Sequence, residues 1–261
     1  MANGLSRARE DAVLTLTLDR PQAGNAIDIP MARALLEAAI ECETNDEIRC
    51  VILTGAGRLY CAGGDVAEFA QAGDALPAHI REITAYLHSA IVHLARMAKP
   101  LVVAVNGPVA GAGIGLALIG DIVLADPQSH FTLAYTAIGM SPDGGATWLL
   151  PRLIGMRRAQ ELCLRNSRVS ATQAAEIGLI TRATEPGRLM AEAREIASEL
   201  ARGATAALGA TRQLLLQSLD SPLETQLEAE SRSITAQART SDGREGIAAF
   251  IAKRKPEFGG D

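Results

Sequence analysis

Aromatic residues are scarce, with one Trp, three Tyr and four Phe in 261 residues. Since 48% of the chain is nevertheless apolar, Ala, Val, Leu and Ile must fill the interior, and these side chains let helices and strands pack closely. An excess of basic charge is also missing. The formal net charge of −5 argues against a nucleic-acid binder, which needs a basic face to neutralise phosphates, so any anionic ligand must be held by local basic residues. Cysteine is sparse and unpatterned. Cys42, Cys50, Cys61 and Cys163 form no Cys-x-x-Cys pair and have no nearby histidine at zinc spacing, so the expectation is reduced thiols and no metal. His79, His88, His93 and His130 show no ligand spacing, and His88 and His93, on one long helical pattern, read as structural or exposed. No Gly-x-Ser-x-Gly elbow occurs, which argues against a serine hydrolase.

One charge-free run, Pro100 to Gly120, has the length of a bilayer span. Asn106, Gly107 and Pro108 interrupt it, and a buried strand, a turn and a tightly packed helix account for it better. Met1 to Asp11 mixes arginines and acids without an apolar core, so no signal peptide and a cytoplasmic location are expected. A chain of this length suits one core, or one core with a small helical appendage.

Period-two alternation marks Val13 to Leu18 as a strand that Arg20-Pro21 ends. Asp28 can cap a helix with Pro30 in its first turn and an apolar stripe of Met31, Leu35, Leu36 and Ile40. Cys50 to Leu53 and Leu101 to Val105 read as buried strands feeding glycine turns, and Ile122 to Ala125 as a further strand. Between them Ile80, Ile83, Leu87, Ile91, Leu94 and Met97 recur at helical spacing from Pro77 to Ala98. The alternation implies an α/β core with its ligand loops at the carboxyl ends of the strands. From Gly187 onward the pattern turns helical, with Ser221-Pro222 and Glu224 as one helix start before Leu223 and Leu227. A core over 1–186 and a helical region over 187–261 are therefore expected.

Three glycine-rich loops carry the chemistry: Cys61-Ala62-Gly63-Gly64-Asp65, Asn106-Gly107 leading to Gly111-Ala112-Gly113, and Ser141-Pro142-Asp143-Gly144-Gly145. Glycine lets main-chain amides approach a ligand, so two N–H donors can converge on a developing oxyanion beside one carboxylate. Gly111 to Gly115 also invites a dinucleotide reading, but its Gly-x-Gly-x-Gly spacing begins several residues beyond the strand. Asp143 precedes the apolar run Trp148-Leu149-Leu150. A carboxyl in such surroundings should have a raised pKa and serve as a proton shuttle. The plainer alternative for Asp143 is a helix cap.

As they stand, these loops resemble the crotonase superfamily, the enoyl-CoA hydratase/isomerase family, together with Leu18-Asp19-Arg20-Pro21, Asn25-Ala26, Glu245-Gly246 and the run Phe250 to Arg254. The resemblance covers nearly the whole chain. It implies a spiral of ββα units with a carboxyl-terminal helical trimerisation region, and an acyl-CoA substrate whose CoA is carried in with it, so that no separate cofactor is required. The amides of Gly64 and Ala112 would hold the thioester oxygen, and Asp143 would act as acid and base. Ala62, Asp65 and Val66 would line the CoA, and Arg20 and Lys253 would lie near its phosphates. Phe250 and Lys253 would reach across from a neighbouring subunit of a homotrimer or a pair of trimers. For each basic residue a solvated surface charge is the alternative.

Gly115 and Tyr135 stand where family hydratases carry two catalytic glutamates, which counts against hydration, and Tyr135 would orient the acyl group or Asp143. The position of Asp143 and the tail from Thr225 to Arg254 are similar to the isomerases, in particular the ring-opening isomerase of phenylacetate breakdown. Hydration, an Asp143 nucleophile as in aryl-CoA dehalogenases, and a non-catalytic acyl-CoA-binding protein are the alternatives. No membrane partner is expected.

Overall fold

The computed structural model describes residues 3–261; Met1 and Ala2, part of the amino-terminal segment read above, lie outside the described residues. In chain order the elements are β1 (Leu5–Glu10), β2 (Val13–Leu18), α1 (Ile29–Thr44), β3 (Cys50–Gly55), α2 (Val66–Ala72), α3 (Leu76–Arg96), β4 (Leu101–Val105), β5 (Val109–Ala110), α4 (Ala112–Leu118) and β6 (Ile122–Ala125). There follow β7 (His130–Thr132), α5 (Ala146–Ile154), α6 (Met156–Arg165), β8 (Val169–Ser170), α7 (Ala171–Glu176), β9 (Arg182–Ala183), α8 (Leu189–Ala201), α9 (Thr205–Ser218), α10 (Leu223–Gln237) and α11 (Ser241–Ile251). The main sheet runs β1-β2-β3-β4-β6-β9 and is parallel except for the β1–β2 hairpin; a small second sheet runs β5-β7-β8.

The strands of the main sheet are covered on both faces. Val51, Leu53, Leu101, Val103 and Val105 point into the larger core, while Cys50, Ile52, Val102 and Ala104 point into a second cluster. That second cluster is closed by Leu189, Ala193, Ala197 and Ala201 of α8. A residue every fourth position, three of them alanine, lets the α8 backbone lie close to the sheet. The boundary drawn at 186/187 therefore passes between the sheet and a helix that seals it. Beyond α8, α9 docks against the end of α3, where Arg212 donates to the carbonyls of Leu94 and Ala95. The last residues, 252–261, are not helical and fold back, with the N–H groups of Gly259 and Gly260 held by the Asp242 carboxylate.

Most expected elements are present, with differences that have physical causes. Asp28 caps α1 through Met31 N–H at 2.8 Å, and Met31 and Leu35 are buried, but Ile40 is exposed and Ala38, Ala39 and Cys42 complete the packed face. α3 ends at Arg96 rather than Ala98, since Met97 turns to extended backbone before Pro100. Ser221 does not cap α10; Pro222 occupies that place without a side-chain bond. β1 was not anticipated, because its Leu5-Ser6-Arg7-Ala8-Arg9-Glu10 leaves everything after Leu5 exposed on an edge. The charge-free run becomes β4, a turn, β5 and α4, and among the described residues no helix is long and apolar enough to cross a membrane.

Candidate active site

The loop after β3 is stitched both to the segment after β4 and to the loop after β2. Ala110 N–H donates to Cys61 O at 2.8 Å, Ile27 N–H donates to Gly63 O at 2.7 Å, and Asp65 N–H donates to Ile27 O at 3.1 Å. Where they cross, Gly63 (φ 98°) and Gly111 (φ 51°) meet backbone to backbone, and a Cβ on Gly111 would lie 3.3 Å from Gly63 Cα. Only glycine adopts this conformation at such close approach without strain. The crossing brings Gly63 against Ala112, the first residue of α4, with a Cβ on Gly63 only 3.3 Å from Ala112 N, and Gly64 follows directly. Among the described residues, no backbone or side-chain acceptor takes the N–H of Gly64 or of Ala112. Both line one cavity of about 530 Å³, whose wall is completed by Ile27, by α2 and α3, and by the segment Leu133 to Asp143. A wider groove of about 750 Å³ lies between the β1–β2 turn, α8 and the carboxyl-terminal tail. Arg49 beside it is tied to Thr205, Gly203 and Phe258.

Asp143 enters the cavity from the loop before α5. It does not cap that helix, whose N-cap is Gly145 with no side-chain bond. Its Oδ1 accepts the Tyr135 hydroxyl at 2.6 Å, and its Oδ2 lies 3.2 Å from His88 Nε2. Burial, the largest single influence, pushes the carboxyl up, but the hydrogen bonds from His88 and Tyr135 outweigh it and hold Asp143 below the usual carboxylate value. This reverses the sequence expectation of a raised pKa, which considered the apolar neighbours and not the donors. Burial beside the same carboxylate pushes the Tyr135 phenol well up, so it remains a donor.

His88, read from sequence as structural or exposed, is exposed but in direct contact with Asp143. The signal was present: Ile80, Ile83, Thr84 and Leu87 of α3 all line the cavity, and His88 continues that stripe at four residues beyond Thr84. Gly144 N–H also points at His88 Nε2, at 3.2 Å. One ring nitrogen cannot accept from Gly144 and donate to Asp143 together, so the ring has two alternative bonding states.

The match to known proteins now has a structural frame. The family model described as enoyl-CoA hydratase/isomerase matches residues 8–261. The chain belongs to the enoyl-CoA hydratase/isomerase family. It is 40% identical to a 1,2-epoxyphenylacetyl-CoA isomerase of Escherichia coli (strain K12), over 96% of each chain. It is 30% identical to 4-chlorobenzoyl coenzyme A dehalogenase-2 of an Arthrobacter species, over 95% of this chain and 91% of that one. The fold superposes on an enoyl-CoA hydratase from Polaromonas sp. JS666 with TM-score 0.93 at 34% identity, covering 97% and 99% of the two chains. The crotonase fold expected of the family is thus the one observed.

Within this family frame, the remaining expected residues fall into two groups. Ala62 and Val66 line the cavity, as do Gly64, Ala112, Tyr135 and Asp143. Asp65 does not line it; it caps α2 through the N–H groups of Ala67 and Glu68 and is buried against Arg20. Arg20, placed by resemblance near CoA phosphates, instead spans Asp65 at 3.1 Å and Asp28 at 3.2 Å and donates to Ala26 O. With both carboxylates buried, its charge is already compensated. Phe250 and Lys253 are not in the cavity wall of this chain, and Phe250 is 85% exposed at the end of α11.

Gly115 explains its own lack of a side chain. A Cβ there would sit 1.9 Å from the Gly144 carbonyl oxygen, so the Asp143 loop occupies the space a longer residue would need. Gly115→Ala is expected to cost about 1–3 kcal/mol or more through overpacking. Urea unfolding measures it, and an unshifted midpoint would contradict the close approach.

Proposed function

We propose that this protein is an acyl-CoA isomerase that moves a double bond, or isomerises a phenylacetyl-derived ring, through a thioester enolate. The carrying observation is that Asp143 is the one carboxylate lining the cavity among the described residues, with both oxygens held and its charge favoured at neutral pH. The thioester oxygen takes the N–H groups of Gly64 and Ala112, which stabilise the negative charge that develops as a proton leaves carbon. Asp143 removes that proton and returns it to a different carbon, so the balance closes without water or a further reactant. Tyr135 and His88 fix the carboxylate plane so that one group reaches both carbons.

Hydration would need a second proton-handling group. The Gly144 carbonyl fills the space beside Gly115, and the Tyr135 hydroxyl is committed to Asp143, which supports isomerisation over water addition. The experiment is incubation with 3-enoyl-CoA and 2-enoyl-CoA in deuterated water, followed by mass spectrometry. Double-bond migration or α/γ deuterium uptake without water addition supports the reading. Water addition restores a hydratase, and an absence of both turnover and exchange leaves an acyl-CoA-binding protein.

The His88–Asp143 contact favours one second reading. Asp143 would attack an aryl carbon bearing a halide and expel it as the halide ion, and water losing a proton to His88 would then attack the aspartyl carbonyl, releasing the hydroxyaryl product and regenerating the Asp143 carboxylate. Rapid quenching would reveal that route as a mass increase on Asp143.

A pH prediction follows from the depressed Asp143 pKa. A group held low stays ionised as pH falls, so kcat/KM should persist through the ordinary carboxylate range and fall only below it. Removing the Tyr135 donor raises the carboxyl, so Tyr135→Phe should move this acid limb upward in pH. An unmoved limb would show that the hydroxyl does not tune Asp143.

Assembly belongs to the same proposal. Leu223, Leu227 and Ile234 of α10 and Phe250 and Ile251 at the end of α11 are all more than half exposed, and apolar surface of this kind marks a contact face. A homotrimer or a pair of trimers is expected in sedimentation velocity, and a stable monomer at micromolar concentration would sink it.

A further inference from the structure

The cavity that holds Asp143 is walled almost entirely by hydrocarbon beyond the amides. Ile80, Ile83 and Leu87 face it from α3, and Leu133, Ile138 and Met140 from the segment before Asp143. Of its polar side chains other than Asp143, the exposed Ser141 hydroxyl is free and the rest are committed. The Thr84 hydroxyl bonds to its own helix, at 2.9 Å from Ile80 O and 3.1 Å from Arg81 O, and the Tyr135 hydroxyl bonds to Asp143. Among the described residues no Lys, Arg or His side chain lines the cavity. The two nearest histidines along α3 each already face a carboxylate: His79 with Glu68 at 3.4 Å and His88 with Asp143 at 3.2 Å.

From this wall we infer that the site selects acyl chains that are apolar and uncharged to their tip, and rejects chains that end in a carboxylate. The inference rests on the acyl-CoA reading above and adds the substrate class. A terminal carboxylate entering this wall would shed most of its water, find no cation and a single uncommitted hydroxyl, that of Ser141, and share the cavity with the ionised Asp143. An alkyl, alicyclic or unsubstituted aromatic end would instead gain apolar contact without any unpaired group. Thr84 is the position where this choice is made most directly. It sits on the α3 stripe between Ile83 and Leu87, where a longer cationic side chain could reach the acyl end.

The test is calorimetric binding of octanoyl-CoA and of octanedioyl-CoA, its equal-length analogue with a terminal carboxylate. Both are saturated, so affinity is read without turnover. Octanedioyl-CoA is expected to bind at least about thirtyfold more weakly. Thr84→Lys should narrow that ratio at least about fivefold by supplying the missing cation. Comparable affinities in the unaltered protein would overturn the inference and leave the isomerase proposal standing. A Thr84→Lys protein that binds octanoyl-CoA with an unchanged ratio would overturn the placement of the acyl tip beside α3. If neither thioester binds, the acyl-CoA reading itself fails and this inference falls with it.

Discussion

Asp143→Asn is expected to lower turnover of an enoyl-CoA by about two to four orders of magnitude, the range associated with losing a general acid–base group. The substitution is nearly isosteric, so the surroundings of residue 143 are preserved. The amide oxygen can still accept the Tyr135 hydroxyl that now bonds Oδ1 at 2.6 Å. The amide NH₂ can donate to His88 Nε2, which now lies 3.2 Å from Oδ2. What is lost is the ability to take a proton from carbon. The loss should therefore appear in kcat, with KM for the thioester changed little. Deuterium uptake from solvent should fall by the same factor, because exchange and isomerisation share the proton-abstraction step. A variant that keeps more than about a tenth of the original kcat would remove Asp143 from the acid–base role.

Ala112→Pro is expected to cost about 10²–10³ in kcat, the usual consequence of deleting one oxyanion donor. Ala112 is the first residue of α4, the position at which proline is best tolerated because that N–H has no helical partner. The preceding Gly111, at φ 51° and ψ −133°, has no Cβ to clash with the proline ring. The new ring would replace the N–H on the side facing the cavity, leaving the rest of α4 intact. Ala112→Gly keeps the N–H and serves as the comparison, and it should retain most of the turnover. The pair is measured by kcat on the same enoyl-CoA, with circular dichroism to establish that both variants fold. Equal rates for the two variants would mean that the Ala112 amide does not hold the thioester oxygen.

Much of the architecture was legible because it follows from local patterning. Cys50 to Leu53 and Leu101 to Val105 are unbroken apolar runs, and each is a central strand buried on both faces. Asp28 with Pro30 announced α1, and the spacing from Ile80 to Leu94 announced α3. The glycine loops were legible for the same reason, since positive φ and close approach at Gly63 and Gly111 leave few other residues possible. β1 was hidden by its exposed, charged face, and the end of α3 was set by the turn into Pro100 rather than by its apolar period.

Site residues were legible only as far as their chemistry is carried by residue type. Asp143, Gly64 and Ala112 could be named from their loops, but the charge environment of Asp143 was given the wrong sign. Its apolar neighbours are close in sequence, whereas the donors that dominate come from His88 and Tyr135, the former 55 positions away. The ion pairing of Arg20, placed near CoA phosphates by resemblance, was hidden for a related reason, since Asp65, which holds it, lies 45 positions on.

The sequence by itself determined the central strands, α1, α3 and the helical tail, which are written in short-range patterning, and through its loop motifs the resemblance to the family, which in turn nominated the two amides and Asp143. Tertiary structure alone decided which side chains surround that carboxylate and that α8 seals the second face of the sheet. It also decided that the Gly144 carbonyl fills the space beside Gly115 and that, among the described residues, no Lys, Arg or His lines the cavity beside Asp143. These outcomes depend on distances between residues far apart in the chain, and hydrogen bonding and steric exclusion act only at contact.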